Sequence, residues 1–106
     1  IVDLAGGHGL LALMMLVLDD RSPSALVVDR AIPPSARAVL DALGTDWPWL
    51  GERVSFVEAD LGSVPLGPED LVVSSHACGA LTDAILARAA AARARVAVLP
   101  CCHDLQ

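Results

Sequence analysis

The chain has 106 residues, of which 55% are hydrophobic and 19% are charged, and its net charge is −6. This length suits one domain with its own core, and the composition excludes a disordered or low-complexity chain. All seven basic residues are arginines and they form no cluster. This argues against a free-standing nucleic-acid-binding protein, because such proteins bind mainly by neutralising phosphates. An enzyme that meets RNA through a separate domain stays open.

The predicted elements alternate between strands and helices along the whole chain. A strand at Ile1–Leu4 runs into a glycine-rich turn, and a helix follows from about Gly9 to Asp19. This helix is apolar nearly all round, so we expect it to be packed deep on the sheet and buried on nearly all sides. Further strands are predicted at Ala25–Asp29, Arg53–Glu58, Asp70–Ser75 and Arg95–Leu99, with helices from Pro33 to Leu43 and from Leu81 to Arg93. A loop spans Thr45 to Glu52. This order predicts an α/β fold, a Rossmann-like, doubly wound parallel sheet of about five strands, as one domain over residues 1–106.

Two features bear on location. The longest apolar run, Leu10 to Leu18, is about half the length of a membrane span, and no signal-peptide pattern is present. We therefore expect a cytoplasmic protein that makes no membrane contact.

The three cysteines, Cys78, Cys101 and Cys102, form no disulfide framework, so their thiols are expected to serve chemistry, metal binding or packing.

The glycine-rich turn after the first strand predicts a nucleotide-type cofactor site, since a helix N-terminus follows it directly. The stretch from Gly7 to Ala12 fits the dinucleotide fingerprint, with Asp29 about twenty residues further on, which is typical of an NAD-dependent oxidoreductase. Asp3 argues against that interpretation. A dinucleotide fold gives no reason for an acid in this strand, and a buried carboxylate is costly unless it has a partner.

The stretch Asp3-Leu4-Ala5-Gly6-Gly7-His8-Gly9 resembles the first motif of class I S-adenosylmethionine-dependent methyltransferases. The resemblance implies that the motif cradles the methionine part of S-adenosylmethionine. The expected contacts are Asp3, Ala5, Gly6, Gly7 and Gly9. The sequence departs from the family pattern at Ala5, where glycine is usual.

Later acids fall where this family has its remaining cofactor contacts. The resemblance implies that Asp29 binds the ribose hydroxyls, that Asp60 accepts a hydrogen bond from the adenine amino group, and that Ala59 offers a backbone N–H to the ring. Ser75, at the end of the fourth strand, is a further expected cofactor contact. The acids that follow three successive parallel strands are expected to converge on one crevice.

Two strand-end segments, His76-Ala77-Cys78-Gly79 and Pro100-Cys101-Cys102-His103, resemble a methyltransferase subgroup that includes eukaryotic tRNA ribose 2′-O-methyltransferases and several methyltransferase-like proteins. The resemblance implies that His76, Cys78 and His103 face the substrate, with RNA as the favoured class. Either histidine suits general-base work near neutral pH.

Three other roles for these segments stay open. Zinc binding is disfavoured because neither segment has the usual two-residue gap between ligands, and we expect no metal. A cysteine nucleophile, as in 5-methylcytosine RNA methyltransferases, fits only Pro100-Cys101. The cysteines also suit plain packing as small apolar residues.

Compared with the family, the chain begins at the first strand and stops just after the fifth. We therefore expect a truncated class I methyltransferase core, either a homodimer or attached to a further domain, because the fifth strand would otherwise be an unpaired edge. A non-catalytic or zinc-binding methyltransferase-like module is the alternative to an active enzyme.

Overall fold

The computed structural model describes residues 1–19, 24–75 and 80–98. Its elements in chain order are β1 (Val2–Leu4), α1 (Leu10–Leu18), β2 (Ala25–Asp29), α2 (Ser35–Gly44), α3 (Leu50–Arg53), β3 (Val54–Glu58), a 3₁₀ turn (Leu61–Ser63), β4 (Leu71–Ser74), α4 (Ala80–Ala91) and β5 (Arg95–Val98). These bounds follow the predicted alternation closely. The short helix α3 is new, since a loop was predicted there.

The five strands form one all-parallel sheet in the order β3-β2-β1-β4-β5. The chain builds outward from β1 through β2 to β3, and then crosses to the other side of β1 for β4 and β5. The strand order therefore reverses between β1 and β4, and connections that leave these two strands diverge to opposite faces of the sheet. In open α/β sheets a crevice forms at this reversal, outside the carboxyl ends of the strands. The predicted doubly wound sheet is confirmed.

Alternating residues of the central strands pack into two apolar layers, one on each face of the sheet. Leu4 and Val28 belong to the layer beneath α4, together with Ile85 of that helix. Val27, the residue before Val28 on β2, belongs to the opposite layer, where Leu13 of α1 packs. The sheet is thus covered on both faces, and its carboxyl ends lie between the N-termini of α1 and α4.

Helix α1 is less enclosed than its sequence suggests. Ala12, Leu13 and Leu16 are fully buried, whereas Leu10, Met14 and Leu18 are 49%, 49% and 81% exposed. The expectation of a helix buried nearly all round is therefore wrong. A uniformly apolar segment cannot show which of its faces meets the sheet, because every face looks alike. Within the described ranges, no helix has the length and apolar character needed to cross a bilayer.

Candidate functional site

The turn that joins β1 to α1 uses three residues with positive φ: Ala5 at +59°, Gly7 at +55° and Gly9 at +78°. Gly9 donates its backbone N–H to the Gly6 carbonyl at 2.9 Å, which closes the turn just before the helix starts. A side chain at Gly9 would meet Phe56, since a Cβ there would lie 2.8 Å from Cε1 of that ring. The turn therefore needs glycine at its last position for both conformation and space.

Ala5 is the strained residue of this turn. A left-handed conformation crowds the Cβ against the following carbonyl and costs an L-residue roughly 1–2 kcal/mol. This is a physical reason for glycine at this position, and the departure from the family pattern is thus a source of backbone strain. Ala5 nevertheless forms part of two clefts described below.

Asp3 lies beneath the turn and is fully buried. Gly6 passes directly over its carboxylate, because a Cβ on Gly6 would lie 2.9 Å from both Cγ and Oδ2 of Asp3. Neither Asp3 oxygen has a hydrogen-bond partner within residues 1–19, 24–75 and 80–98. Burial raises the pKa of the Asp3 carboxyl to about 6; the backbone N–H of Ala12 partly opposes that rise without reaching hydrogen-bonding geometry, and the charge of Asp29 adds to it.

Two expectations about Asp3 need correction. A buried acid was expected to have a partner, and the described residues supply none. The acid was also expected to open into the common crevice, but it supports the turn from below and lines neither cleft described below. The acids that reach the carboxyl edge of the sheet are those that follow β2 and β3.

Asp29, the last residue of β2, is half-buried and holds the glycine-rich turn in place. Its Oδ2 accepts a hydrogen bond from the Gly7 backbone N–H at 3.0 Å, and its Oδ1 accepts one from the Arg30 N–H at 2.7 Å. A carboxylate has about four lone-pair positions, so each oxygen keeps one acceptor position for a ligand. Two free acceptor positions on one rigid carboxylate suit a pair of neighbouring hydroxyls.

Asp60 follows β3 and begins the 3₁₀ turn. Its Oδ1 accepts from the Gly62 backbone N–H at 2.9 Å, while its carbonyl accepts from the Ser63 hydroxyl at 2.7 Å. The residue is exposed and lines one of the clefts described below. The expected N–H of Ala59 is not free, because it donates to the Asp29 carbonyl at 2.9 Å. Ala59 instead packs against the apolar layer beneath α4.

Two clefts meet at the carboxyl edge of the sheet. The α4 cleft, of about 490 Å³, lies between α4 and the 3₁₀ turn. The α1–α2 cleft, of about 690 Å³, lies on the other side of the glycine-rich turn. Ala5 and Asp29 line both clefts, so the two are separated only by the turn and the end of β2.

The predicted cofactor residues divide between these clefts. Asp60 lines the α4 cleft, whereas Gly6, Gly7 and Ser75 line the α1–α2 cleft, whose remaining wall is mostly apolar. Gly9 is buried behind the turn. Because Ala5 and Asp29 line both clefts, one elongated ligand that crosses the turn can contact the predicted residues of the two clefts.

Sequence reasoning missed two basic residues of the α4 cleft, Arg30 and Arg88. Arg30 directly follows Asp29 and is exposed. Arg88 lies on the helix predicted from Leu81 to Arg93, where it is half-buried and donates hydrogen bonds to main-chain carbonyls. The available signal was its position three residues after the buried Ile85, where a surface arginine is not expected.

The residues predicted to face the substrate lie outside the described ranges. His76, Cys78 and His103 belong to this group, as do Cys101 and Cys102. Their roles stay predictions. Among the residues that are described, no group of three or more His, Cys, Asp or Glu side chains is arranged to hold a metal ion.

Comparison with known proteins gives one match. A family model described as a methyltransferase domain matches residues 1–105. The match spans the glycine-rich turn, both strand-end acids and the Cys/His segments. Comparison with curated proteins and with solved structures found no match.

Proposed function

Since this chain belongs to the methyltransferase domain family, we propose that it is an S-adenosylmethionine-dependent methyltransferase. The observation that carries the proposal is that Asp29 and Asp60, from the ends of adjacent strands, line one cleft that opens beside the glycine-rich turn. Hydroxyl and amino groups of a nucleoside are donors, and both acids offer acceptors to them.

Asp29 is the proposed ribose contact. Each of its oxygens already accepts one backbone N–H, which fixes the orientation of the carboxylate and leaves one acceptor position on each oxygen. The 2′- and 3′-hydroxyls of a ribose are two adjacent donors that match this arrangement. The same acid tethers Gly7, so ribose binding and the shape of the turn depend on one side chain.

Asp60 is the proposed adenine contact, and the turn before α1 is the proposed site of the methionine part. Oδ1 of Asp60 is used to cap the 3₁₀ turn, which leaves Oδ2 to accept from the exocyclic amino group. Gly6 and Gly7 continue from Ala5 away from the α4 cleft towards Ser75, so an extended ligand passes along them. Ala59 is left out of this hydrogen-bonding set because its N–H is already bonded to Asp29.

When bound, the cofactor supplies a methyl group on a positively charged sulfur, which an acceptor atom attacks. For the acceptor we propose RNA, on the resemblance of the His76 and Cys101-Cys102-His103 segments to an RNA-modifying subgroup. In this proposal His76 or His103 takes the proton from the attacking group, because imidazole exchanges protons near neutral pH. Cys78 lies two residues after His76 in the sequence and is assigned to the same substrate-facing surface.

Calorimetric titration with S-adenosylhomocysteine and, separately, with NAD tests the cofactor assignment. We expect a single site for S-adenosylhomocysteine, and Asp29→Ala is expected to weaken it by at least about tenfold, since two charge-assisted hydrogen bonds are lost. The matched control is Asp41→Ala, because Asp41 pairs with Arg37 at 3.1 Å on exposed α2 and lines neither cleft. Binding of NAD in place of S-adenosylhomocysteine would overturn the proposal.

Transfer of a labelled methyl group tests the acceptor separately. The chain is incubated with methyl-labelled S-adenosylmethionine and either total RNA or a total protein extract. Label in RNA that disappears in His76→Ala or in His103→Ala supports the proposal. Label in protein alone, or in RNA to the same extent in both variants, contradicts it.

A further inference from the structure

Arg88 joins α4 to the turn that faces it across the α4 cleft. Its Nη1 donates to the Leu61 carbonyl at 2.6 Å and its Nη2 donates to the Val64 carbonyl at 2.5 Å. Leu61 is the first residue of the 3₁₀ turn and Val64 directly follows its last residue, so both terminal nitrogens of one guanidinium bind the same short segment. The side chain is half-buried, although α4 is otherwise rich in alanine.

The two bonds make use of the shape of the guanidinium group. Its terminal nitrogens lie in one plane and point in fixed directions, so the distance between the two carbonyls is set by the fork itself. A charged donor also makes a stronger hydrogen bond than a neutral one. A lysine ammonium is a compact point charge and does not fix two carbonyls in this way.

The segment to which Arg88 donates these hydrogen bonds begins directly after Asp60. The Asp60 carbonyl accepts from the backbone N–H of Ser63 at 2.9 Å, and Oδ1 of Asp60 accepts from Gly62. Asp60 is thus fixed to the turn, and the turn is fixed to α4 by Arg88. Opposite them, Leu81 and Ile85 of α4 form the other side of the same cleft.

We propose that Arg88 is a positioning residue that sets the width of the α4 cleft and the orientation of Asp60, and so determines selection of the adenine base. This inference rests on the proposed function. Under this proposal, Arg88 determines whether the site prefers a purine with an amino group or one with a carbonyl oxygen at this edge. Arg88 acts through the backbone of the turn, and Asp60 makes the contact.

The test compares S-adenosylhomocysteine with S-inosylhomocysteine, in which a carbonyl oxygen replaces the adenine amino group. The wild-type chain is expected to prefer the adenine ligand. Arg88→Ala is expected to bind it about tenfold more weakly while its affinity for the inosine ligand changes little, because only the oriented Asp60 distinguishes the two. Arg37→Ala is the matched control, since Arg37 is 80% exposed, pairs with Asp41 on α2 and lines neither cleft.

A second measurement reports on the turn itself. Hydrogen exchange at the amides of Gly62 and Ser63 is expected to quicken in Arg88→Ala, because both amides donate to Asp60 within the turn that Arg88 holds. Arg88→Lys is expected to show both effects to a smaller extent. If Arg88→Ala does not fold, the lysine variant decides the question on the same criteria.

The outcomes separate this inference from the proposed function. An unchanged preference for adenine in the Arg88 variants overturns the inference. This holds even where both ligands bind more weakly by the same factor, because an equal loss is expected of an arginine that only stabilises the fold. Unchanged amide exchange at the turn overturns it as well. A wild-type chain that binds neither ligand overturns the proposed function, whereas wild-type binding with unchanged variants overturns the inference alone.

Discussion

Replacement of Asp3 by asparagine is expected to stabilise the chain at neutral pH. The carboxyl is fully buried beneath Gly6 and has no hydrogen-bond partner among the described residues. Burial raises its pKa from 3.8 to about 6. Each pKa unit corresponds to about 1.4 kcal/mol, so ionisation of Asp3 in the folded chain costs about 3 kcal/mol more than in the unfolded chain.

The sign of the pH dependence follows from that raised pKa. Between about pH 4 and pH 6 the folded chain holds the Asp3 proton and the unfolded chain has lost it. The contribution of Asp3 to the free energy of unfolding is therefore fully present below about pH 4 and is lost as the pH rises through about 6. At pH 7 the folded chain bears the whole cost of the buried charge.

Urea unfolding followed by circular dichroism, at intervals from pH 4 to pH 8, measures this contribution. Asp3→Asn has nearly the same shape and no charge, so its free energy of unfolding should exceed that of the wild type by up to about 3 kcal/mol at pH 7. The difference should shrink towards pH 4. Asp41→Asn, on the exposed face of α2, controls for a change of net charge.

The result that would refute this reasoning is a difference that stays constant with pH, or an asparagine variant that is less stable than the wild type at pH 7. Either would mean that Asp3 stays ionised in the folded chain and is stabilised by a partner. The turn would then depend on a charged Asp3 instead of tolerating it.

Three further substitutions test the turn and the base contact. Ala5→Gly should raise the melting temperature, because glycine relieves backbone strain of roughly 1–2 kcal/mol at φ +59°. This relief exceeds the stability lost when glycine raises the entropy of the unfolded chain. Arg93→Gly is the control, since Arg93 also has φ +59° but lies away from the clefts. Gly9→Ala should destabilise by about 2 kcal/mol or more through contact with Phe56, whereas Gly7→Ala, with nothing within 4 Å of the added Cβ, should cost less. Asp60→Asn keeps an oxygen for the Gly62 N–H and presents an amino group to the base, so calorimetry should show a preference for S-inosylhomocysteine; an unchanged preference for adenine would contradict the base assignment.

The fold followed from the sequence because strands and helices in this chain alternate with clear signals at their ends. Four of the five strands end at, or within two residues of, a glycine, a proline or an acid, and a parallel sheet is expected because α-helices connect all consecutive strands except β3 and β4. The orientation of α1 did not follow. Its apolar residues surround the helix axis, so contacts with β1, β2 and α3 decide that Leu10 and Leu18 face outward.

The site followed in part. The positions of Asp29 and Asp60 at one edge of the sheet were predicted from their places at the ends of predicted parallel strands, since the carboxyl ends of such strands share an edge. Their hydrogen bonds were not, because an acid at a strand end has the same sequence whether it faces solvent or holds a turn. Arg88 was missed for the same reason: its two acceptors are backbone carbonyls of a distant segment, which no side-chain pattern records.

A crystal structure of the chain with S-adenosylhomocysteine shows directly where an adenosyl ligand binds, which is the central claim made here. We predict that the adenosine lies in the α4 cleft, with ribose hydroxyls on Asp29 and the adenine amino group on Asp60. The methionine part should pass along Gly6 and Gly7. Adenosine in the α1–α2 cleft, away from Asp60, would contradict the account.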